Sequence, residues 1–178
     1  MAQLKSEAGF FRGSPMDEVV IREVRPEDVE TAAAIAVAAW ERSYACYREV
    51  MGEEIFRTLY PDWRARKAEQ VRRGCAADGG VHARVAEIDG RVVGFVTFHV
   101  DAGSGVGEIG NNAVHPDSQG QGIAQRMYAH VFEAMRALGV RVVKVQTGGD
   151  PGHARARRAY EKAGFDVQLP SVTYYRTL

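Results

Sequence analysis

Residues Val114 to Ala124 read Val-His-Pro-Asp-Ser-Gln-Gly-Gln-Gly-Ile-Ala, a strand end, a proline turn and a glycine-rich loop opening an amphipathic helix. The first N–H groups of a helix have no partner within it, and the helix dipole adds partial positive charge at the same end. Gly120 and Gly122 have no β-carbon to keep an anion away from that backbone. This is an anion site of the kind that takes a pyrophosphate. A Walker loop would need Lys after the last glycine, where Ile123 stands. The dinucleotide fingerprint would need a third glycine at Gln125 and an acidic residue near Val143 and Lys144. Both patterns fail.

The elements that position this loop follow from periodicity. Val19–Val24 reads as a first strand. Pro26, Glu27 and Asp28 suit a helix start. Val29, Ala33, Ala36, Val37, Trp40 and Tyr44 continue at helical spacing. A second helical region covers about Gly52–Arg73 and breaks at Pro61. Val81–Val85 alternates, Asp89-Gly90 signals a tight hairpin, and Val92–Val100 reads as a central strand. A glycine-rich connection leads to a strand at Glu108–Val114. After the loop, Ile123, Met127, Val131, Met135 and Leu138 share a helix face that Gly139 ends. Val140–Val145 is a buried strand, about His153–Ala163 a helix capped by Gly164, and Phe165–Gln168 and Val172–Arg176 two closing strands. The predicted fold class is α/β (an α+β mixed sheet): a central, mostly antiparallel sheet with helices on both faces. It forms a single domain over 18–178 behind a flexible tail at 1–17.

Composition narrows the function. The 178 residues are 46% hydrophobic and 26% charged, as in an ordinary globular domain. The formal net charge of zero argues against nucleic acid as the partner, although Arg155, Arg157 and Arg158 form a local basic patch. Cys46 and Cys75 and the five histidines show no metal-ligand spacing, so no metal is expected. No leader pattern opens the chain and no apolar run is long enough for a membrane span. The expectation is a cytoplasmic protein with no membrane partner.

The sequence resembles the GNAT superfamily of N-acetyltransferases. The family's acetyl-CoA loop, Gln/Arg-x-x-Gly-x-Gly/Ala, is matched by Gln119-Gly120-Gln121-Gly122-Ile123-Ala124, and its preceding Val-x-Pro by Val114-His115-Pro116. A second family segment, Asn-x-x-Ala-x-x-Leu-Tyr-Glu-x-x-Gly-Phe, corresponds to His153 through Phe165. His153 stands for the usual Asn and Ala159 for the usual Leu, while Ala156, Tyr160, Glu161, Gly164 and Phe165 match. The resemblance covers roughly residues 19 to 178. It implies acetyl-CoA as acyl donor, bound by Val114, Gln119, Gly120, Gln121, Gly122, Ile123, Ala124, His153 and Ala156.

The resemblance also assigns roles. Tyr160 takes the place of a phenol that protonates the departing thiolate, and a core tyrosine is the plainer alternative. A backbone N–H near Val114 would meet the thioester oxygen. Asn111-Asn112 falls where the family splays its fourth strand from its fifth with a bulge. Glu108 stands where many relatives carry a carboxylate acting as base through water, and a solvated surface Glu is the alternative. His115 is a lesser candidate, and Gln146 cannot act as a base.

The implied activity is transfer of acetyl to a primary amine by direct attack in a ternary complex. The acceptor is a small molecule or a peptide, and homodimerisation through the C-terminal strand is compatible with the family. Trp40, Tyr44, Tyr47, Tyr60, Tyr174 and Tyr175 supply aromatics for acceptor selection or for the core. Glu41, Glu49, Glu53 and Glu54 would attract a cationic amine or simply form a solvated face. A non-catalytic acyl-CoA sensor, an O-acyltransferase and a protein binding another nucleotide are the competing readings.

Overall fold

The computed structural model describes residues 19–76 and 80–178. The tail expected at 1–17 lies outside them. In chain order the elements are β1 (Val20–Glu23), α1 (Val29–Met51), α2 (Glu53–Leu59), α3 (Trp63–Cys75), β2 (Val81–Ile88), β3 (Arg91–Asp101), β4 (Val106–Val114), α4 (Ile123–Ala137), β5 (Val142–Val145) and α5 (Ala154–Lys162). The five strands form one sheet in the order β1-β2-β3-β4-β5. Neighbours are antiparallel except β4 and β5, which run parallel because α4 carries the chain across between them.

Local chemistry explains the boundaries. Asp89 and Gly90 both have positive φ (49° and 75°), the mirror-image turn that matches strand twist in a two-residue hairpin. Gly139 and Gly164 take left-handed φ (83° and 95°) after α4 and α5. There the N–H groups of Val140 and Phe165 return to the carbonyls of Met135 and Tyr160 at 3.0 and 3.1 Å. The break at Pro61 separates α2 from α3. At the start of α1, Asp28 is buried and accepts the Arg25 N–H at 2.7 Å, while Arg22 reaches both Asp28 (2.6 Å) and Glu87 (2.7 Å). That network ties β1 to the turn and to β2.

Each sheet face has its own core. On one, Ala32, Ala33, Ile35 and Ala36 of α1 and Val71 and Cys75 of α3 pack on Ala83, Val85, Phe95 and Ala113. On the other, Ile123, Met127, Val131 and Met135 of α4 and Tyr160 of α5 pack on Val96, Phe98, Ile109 and Val114. Sheet-face periodicity is thus satisfied from both sides, as expected. Leu138, placed on the buried face of α4 by its spacing, caps the helix and is exposed.

The closing strands expected at Phe165–Gln168 and Val172–Arg176 do not form. Residues 165–178 carry no strand, and Val167, Leu169, Val172, Tyr174 and Leu178 are exposed. Alternation makes a segment competent for a sheet but does not provide a partner edge. Pro170 also lacks a ladder donor.

Candidate active site

The site begins with a break in sheet register. Val96 pairs with Asn112, but Phe98 pairs with Ile109, so β4 carries one extra residue opposite β3 at Gly110-Asn111. The bulge resets side-chain parity. Ile109 and Val114 belong to the α4 side, Ala113 to the α1 side. Asn112 bonds to Tyr128 and Tyr160 on the α4 side, and Asn111 bonds to Lys67 of α3. Thr97, buried beside the bulge, donates its hydroxyl to the Asn111 carbonyl at 3.2 Å.

Beyond the bulge β4 also loses its other neighbour. β5 pairs with it only from Val106 to Ile109, so among the described residues Gly110–Val114 has no strand on that side. The His115 N–H pairs with the Val93 carbonyl at 2.8 Å. By strand alternation, Val114 presents its backbone groups to the opposite, open edge. There its carbonyl accepts Gln119 Nε2 at 3.0 Å. β4 and β5 therefore part like the arms of a V, with the Val114 N–H on one arm.

At the mouth of the V stands the glycine loop. Gly120 and Gly122 have φ of 81° and 76°, conformations that side chains disfavour, and Gly122 is the N-cap of α4. A β-carbon on Gly120 would meet nothing within 4 Å, so that position is open. No side chain caps α4, which leaves its first N–H groups directed outward. Gln119 joins three elements, since its Oε1 accepts Arg155 of α5 at 3.1 Å while its Nε2 holds β4. The residues expected to bind the cofactor, Gln119 to Ala124 with Val114, are thus contiguous around one loop.

On the α4 side of the V, Tyr128 Oη donates to Asn112 Oδ1 at 2.8 Å, and Asn112 Nδ2 donates to Tyr160 Oη at 3.1 Å. The Tyr160 phenol accepts in this chain, so its own proton remains free to be donated. Burial raises its pKa, opposed by the bonds to Asn112 and Tyr128, and burial raises that of Tyr128 strongly. Both are neutral phenols near neutrality. Tyr160 is 7% exposed and packs edge-on against Phe165, so the core-tyrosine reading and the hydrogen-bonded reading describe the same side chain.

The start of α5 supplies His153 and Ala156. Asp150 accepts the His153 N–H, and its carboxylate lies 2.7 Å from His153 Nδ1. Burial opposes ionisation of Asp150, but His153 prevails and holds its carboxyl below the ordinary value. The His153 ring is tilted against Tyr47, at 5.6 Å between centroids. Arg157 donates to the carbonyls of Gly148 and Asp150, and so secures the β5–α5 loop. Two members of the basic patch, Arg155 and Arg157, therefore hold loops.

Glu108 is separate from this chain. It lies before the bulge, opposite Lys144 in the β4–β5 register, and forms a solvated ion pair with it at 2.8 Å. Its neighbours Gly107 and Ile109 meet the α4 side, which turns Glu108 to the α1–α3 side.

On that second side a cavity of about 340 Å³ opens beside α3, with Tyr44, Tyr60 and Trp63 facing Arg66, Lys67 and Gln70. Tyr44 stacks on Trp63 at 4.0 Å and meets Tyr60 edge-on at 5.4 Å. Lys67 is buried with its Nζ 2.7 Å from Gln70 Oε1, 3.2 Å from Asn111 Oδ1 and 4.3 Å from the centre of the Trp40 ring. Desolvation lowers its pKa to about 8. Of the C-terminal aromatics, Tyr175 reaches this cluster and, after burial, raises the Tyr60 phenol's pKa; Tyr174 is exposed. A larger depression along the outer side of α3, lined by Asp62, Glu69 and Arg73 among others, does not include the bulge residues.

A family model for the acetyltransferase (GNAT) family matches residues 40–165. The chain belongs to the GNAT family. Solved structures share the fold at low identity. The PaiA N-acetyltransferase of Thermoplasma acidophilum, solved in complex with coenzyme A, is 18% identical, with a TM-score of 0.68 over 86% of this chain and 92% of its own. A ribosomal-protein-alanine N-acetyltransferase from Brucella melitensis biovar Abortus is 18% identical, with a TM-score of 0.57 over 89% and 99%. An aminoglycoside acetyltransferase from an uncultured soil metagenomic sample, solved with sisomicin, is 17% identical, with a TM-score of 0.56 over 91% and 97%. No curated protein sequence matches this chain.

As a GNAT acetyltransferase the protein takes acetyl-CoA as acyl donor. The splayed edge and the uncapped, glycine-opened start of α4 fit that donor, since they offer backbone N–H groups to a pyrophosphate and to a thioester oxygen. Among the described residues no group of three or more His, Cys, Asp or Glu is placed to hold a metal ion, and no helix is long and apolar enough to cross a membrane. Sequence reasoning missed Lys67, Tyr128 and the link from Asn112 to Tyr160. A lysine on a charged helix and a tyrosine on an apolar one carry no local signal of a site. Only the bulge brings them to the V.

Proposed function

We propose that this GNAT protein transfers the acetyl group of acetyl-CoA to a primary amine by direct attack in a ternary complex. The observation that carries the reading is the V between β4 and β5, with the glycine loop at its mouth and the Tyr160 phenol on one wall. N–H groups of the Gln119–Ala124 segment hold the pyrophosphate, and Gln119 keeps that loop fastened to β4 and α5. Ala156 and the free ring nitrogen of His153 border the pantetheine arm, since Nδ1 is engaged by Asp150. The Val114 N–H stabilises charge developing on the thioester oxygen.

In the transfer, the amine nitrogen forms a bond to the acetyl carbon and the carbon–sulfur bond breaks. The nitrogen gives up one proton, and the departing sulfur receives one from Tyr160, which recovers it from solvent. Asn112 and Tyr128 are positioning residues: they fix the Tyr160 oxygen and leave its hydrogen free to point elsewhere. Glu108 is assigned to take the amine's proton through water. It faces the α1–α3 side, where the aromatic cavity lies, and Glu108→Gln should slow turnover below neutral pH if it does so.

The test is calorimetric titration with acetyl-CoA, with ATP and NAD as controls, followed by free-thiol release over a panel of amines. Binding of acetyl-CoA alone, with amine-dependent thiol release, supports the proposal. Binding without release for any amine makes the protein an acyl-CoA sensor instead. Tyr160→Phe should lower kcat by about 10²-fold or more with acetyl-CoA affinity retained. A variant as fast as the parent removes Tyr160 from the chemistry.

A further inference from the structure

We infer that the acceptor is an amine carrying an anionic oxygen group, a carboxylate, bound by Lys67 and Arg66 in the aromatic cavity beside the β4 bulge. The inference rests on the acetyl transfer proposed above and names its substrate class. The first observation is a buried cation without an anion. Lys67 is 8% exposed, yet its partners are two amide oxygens and the face of Trp40. Buried charges are ordinarily matched by a counter-charge. Among the described residues neither Lys67 nor Arg66 makes an ion pair, and the cavity they line contains no acidic residue. Arg66 spends one N–H on the Leu59 carbonyl at 3.2 Å and keeps the rest of its fork.

The second observation concerns the carboxylates expected to draw in a cationic acceptor. Glu41 is held by Arg64 at 2.7 Å and Glu53 by Arg48 and Arg57, while Glu49 and Glu54 do not line the cavity. Glu108, on the same side of the sheet as the cavity, is held by Lys144. The sign of the cavity is therefore positive, which disfavours polycationic amines.

The third observation is placement. Lys67 bonds Asn111 on one face of the sheet and the next residue, Asn112, bonds Tyr160 on the other, so cavity and phenol adjoin the same stretch of β4, the one that has no partner in β5. Stacked Tyr44 and Trp63 offer an apolar wall for a planar or hydrophobic side chain.

The test compares thiol-release rates at fixed acetyl-CoA for L-tryptophan and L-phenylalanine, their carboxamides, tryptamine, O-phosphoethanolamine and spermidine. The acids should exceed their carboxamides in kcat/KM by at least about tenfold, the scale of one charge-assisted hydrogen bond. Lys67→Met, which replaces a buried cation by an apolar chain of similar length, should collapse that ratio through the acid's KM. Arg66→Gln, at an exposed position, should lower it without any demand on folding. A preference for carboxamides, tryptamine or spermidine, or a ratio unchanged in both variants, overturns the inference. Phosphoethanolamine outpacing both acids transfers the assignment from carboxylate to phosphate and overturns the carboxylate. Acetyl-CoA binding without turnover of any acid also overturns it and leaves the donor site standing. Failure to bind acetyl-CoA is a different result, which removes the acetyl transfer itself.

Discussion

Asn112 is where the two halves of the chemistry meet. Its amide accepts from Tyr128 and donates to Tyr160, so it decides which way the phenolic hydrogen can point. Asn112→Ala should lower kcat by about tenfold, less than loss of the phenol itself, because positioning rather than the acid is removed. The Asn112 bond lowers the Tyr160 pKa against the upward push of burial, so its loss should move the alkaline limb of the pH–rate profile upward. A purely structural role would lower activity without moving that limb. Sequence offered Tyr160 through its motif and Asn111-Asn112 through an interrupted alternation. It could not pair them, since Asn112 and Tyr160 are separated by a helix and a strand and meet only once β4 has bulged.

Elements rather than single side chains build the proposed donor site. The loop from Val114 to Ala124 was fully legible, because a strand end, two glycines and an amphipathic helix are local signals. Gly122→Val places a branched side chain at a φ of 76° and over the opening of α4. Acetyl-CoA affinity in a calorimetric titration should fall below detection, and unchanged affinity would place the donor elsewhere. The entry to α1 has a different dependence. Arg22, through hydrogen bond and charge, holds the Asp28 carboxyl below its ordinary value despite burial. A carboxyl with a lowered folded-state pKa contributes stability above its unfolded value of about 4, and that contribution is lost as pH falls through the folded value. Asp28→Asn should cost about 2 kcal/mol in urea denaturation at neutral pH, with the difference from the parent shrinking in acid.

The whole molecule departs from its sequence reading at one end. The order of elements from β1 to α5 follows from period, turn chemistry and caps, although β5 covers only Val142–Val145 of the buried strand read at Val140–Val145 and leaves Val142 exposed. The last segment carries the same alternation, yet residues 165–178 run without a strand, because pairing is a property of two edges and the sequence describes only one. Removal of residues 168–178 should therefore change the melting temperature by less than about 4 °C, as most of these side chains bury little surface. A large drop would mean that the segment is part of the folded core. The cavity chemistry was illegible for a related reason: the acidic residues of α1 and α2 suggested a cation site, but in the fold Glu41 and Glu53 pair with arginines and none of the four lines the cavity.

The extra residue in β4 also works like a frame. Upstream of it, odd-numbered positions face α4; downstream, even-numbered ones do. Deleting Gly110 would take out the extra residue and yet leave the audiences as they are, because plain alternation from Ile109 again sends Asn111 toward Lys67, Asn112 toward the tyrosines and Ala113 toward α1. What would go is the break itself: Thr97 would face Asn111 alone, and β4 would run opposite β3 as an unbroken strand. Removing a residue downstream of the bulge is the change that would exchange the faces, so the same loss of one residue spells two different molecules according to the side of Asn111 on which it falls.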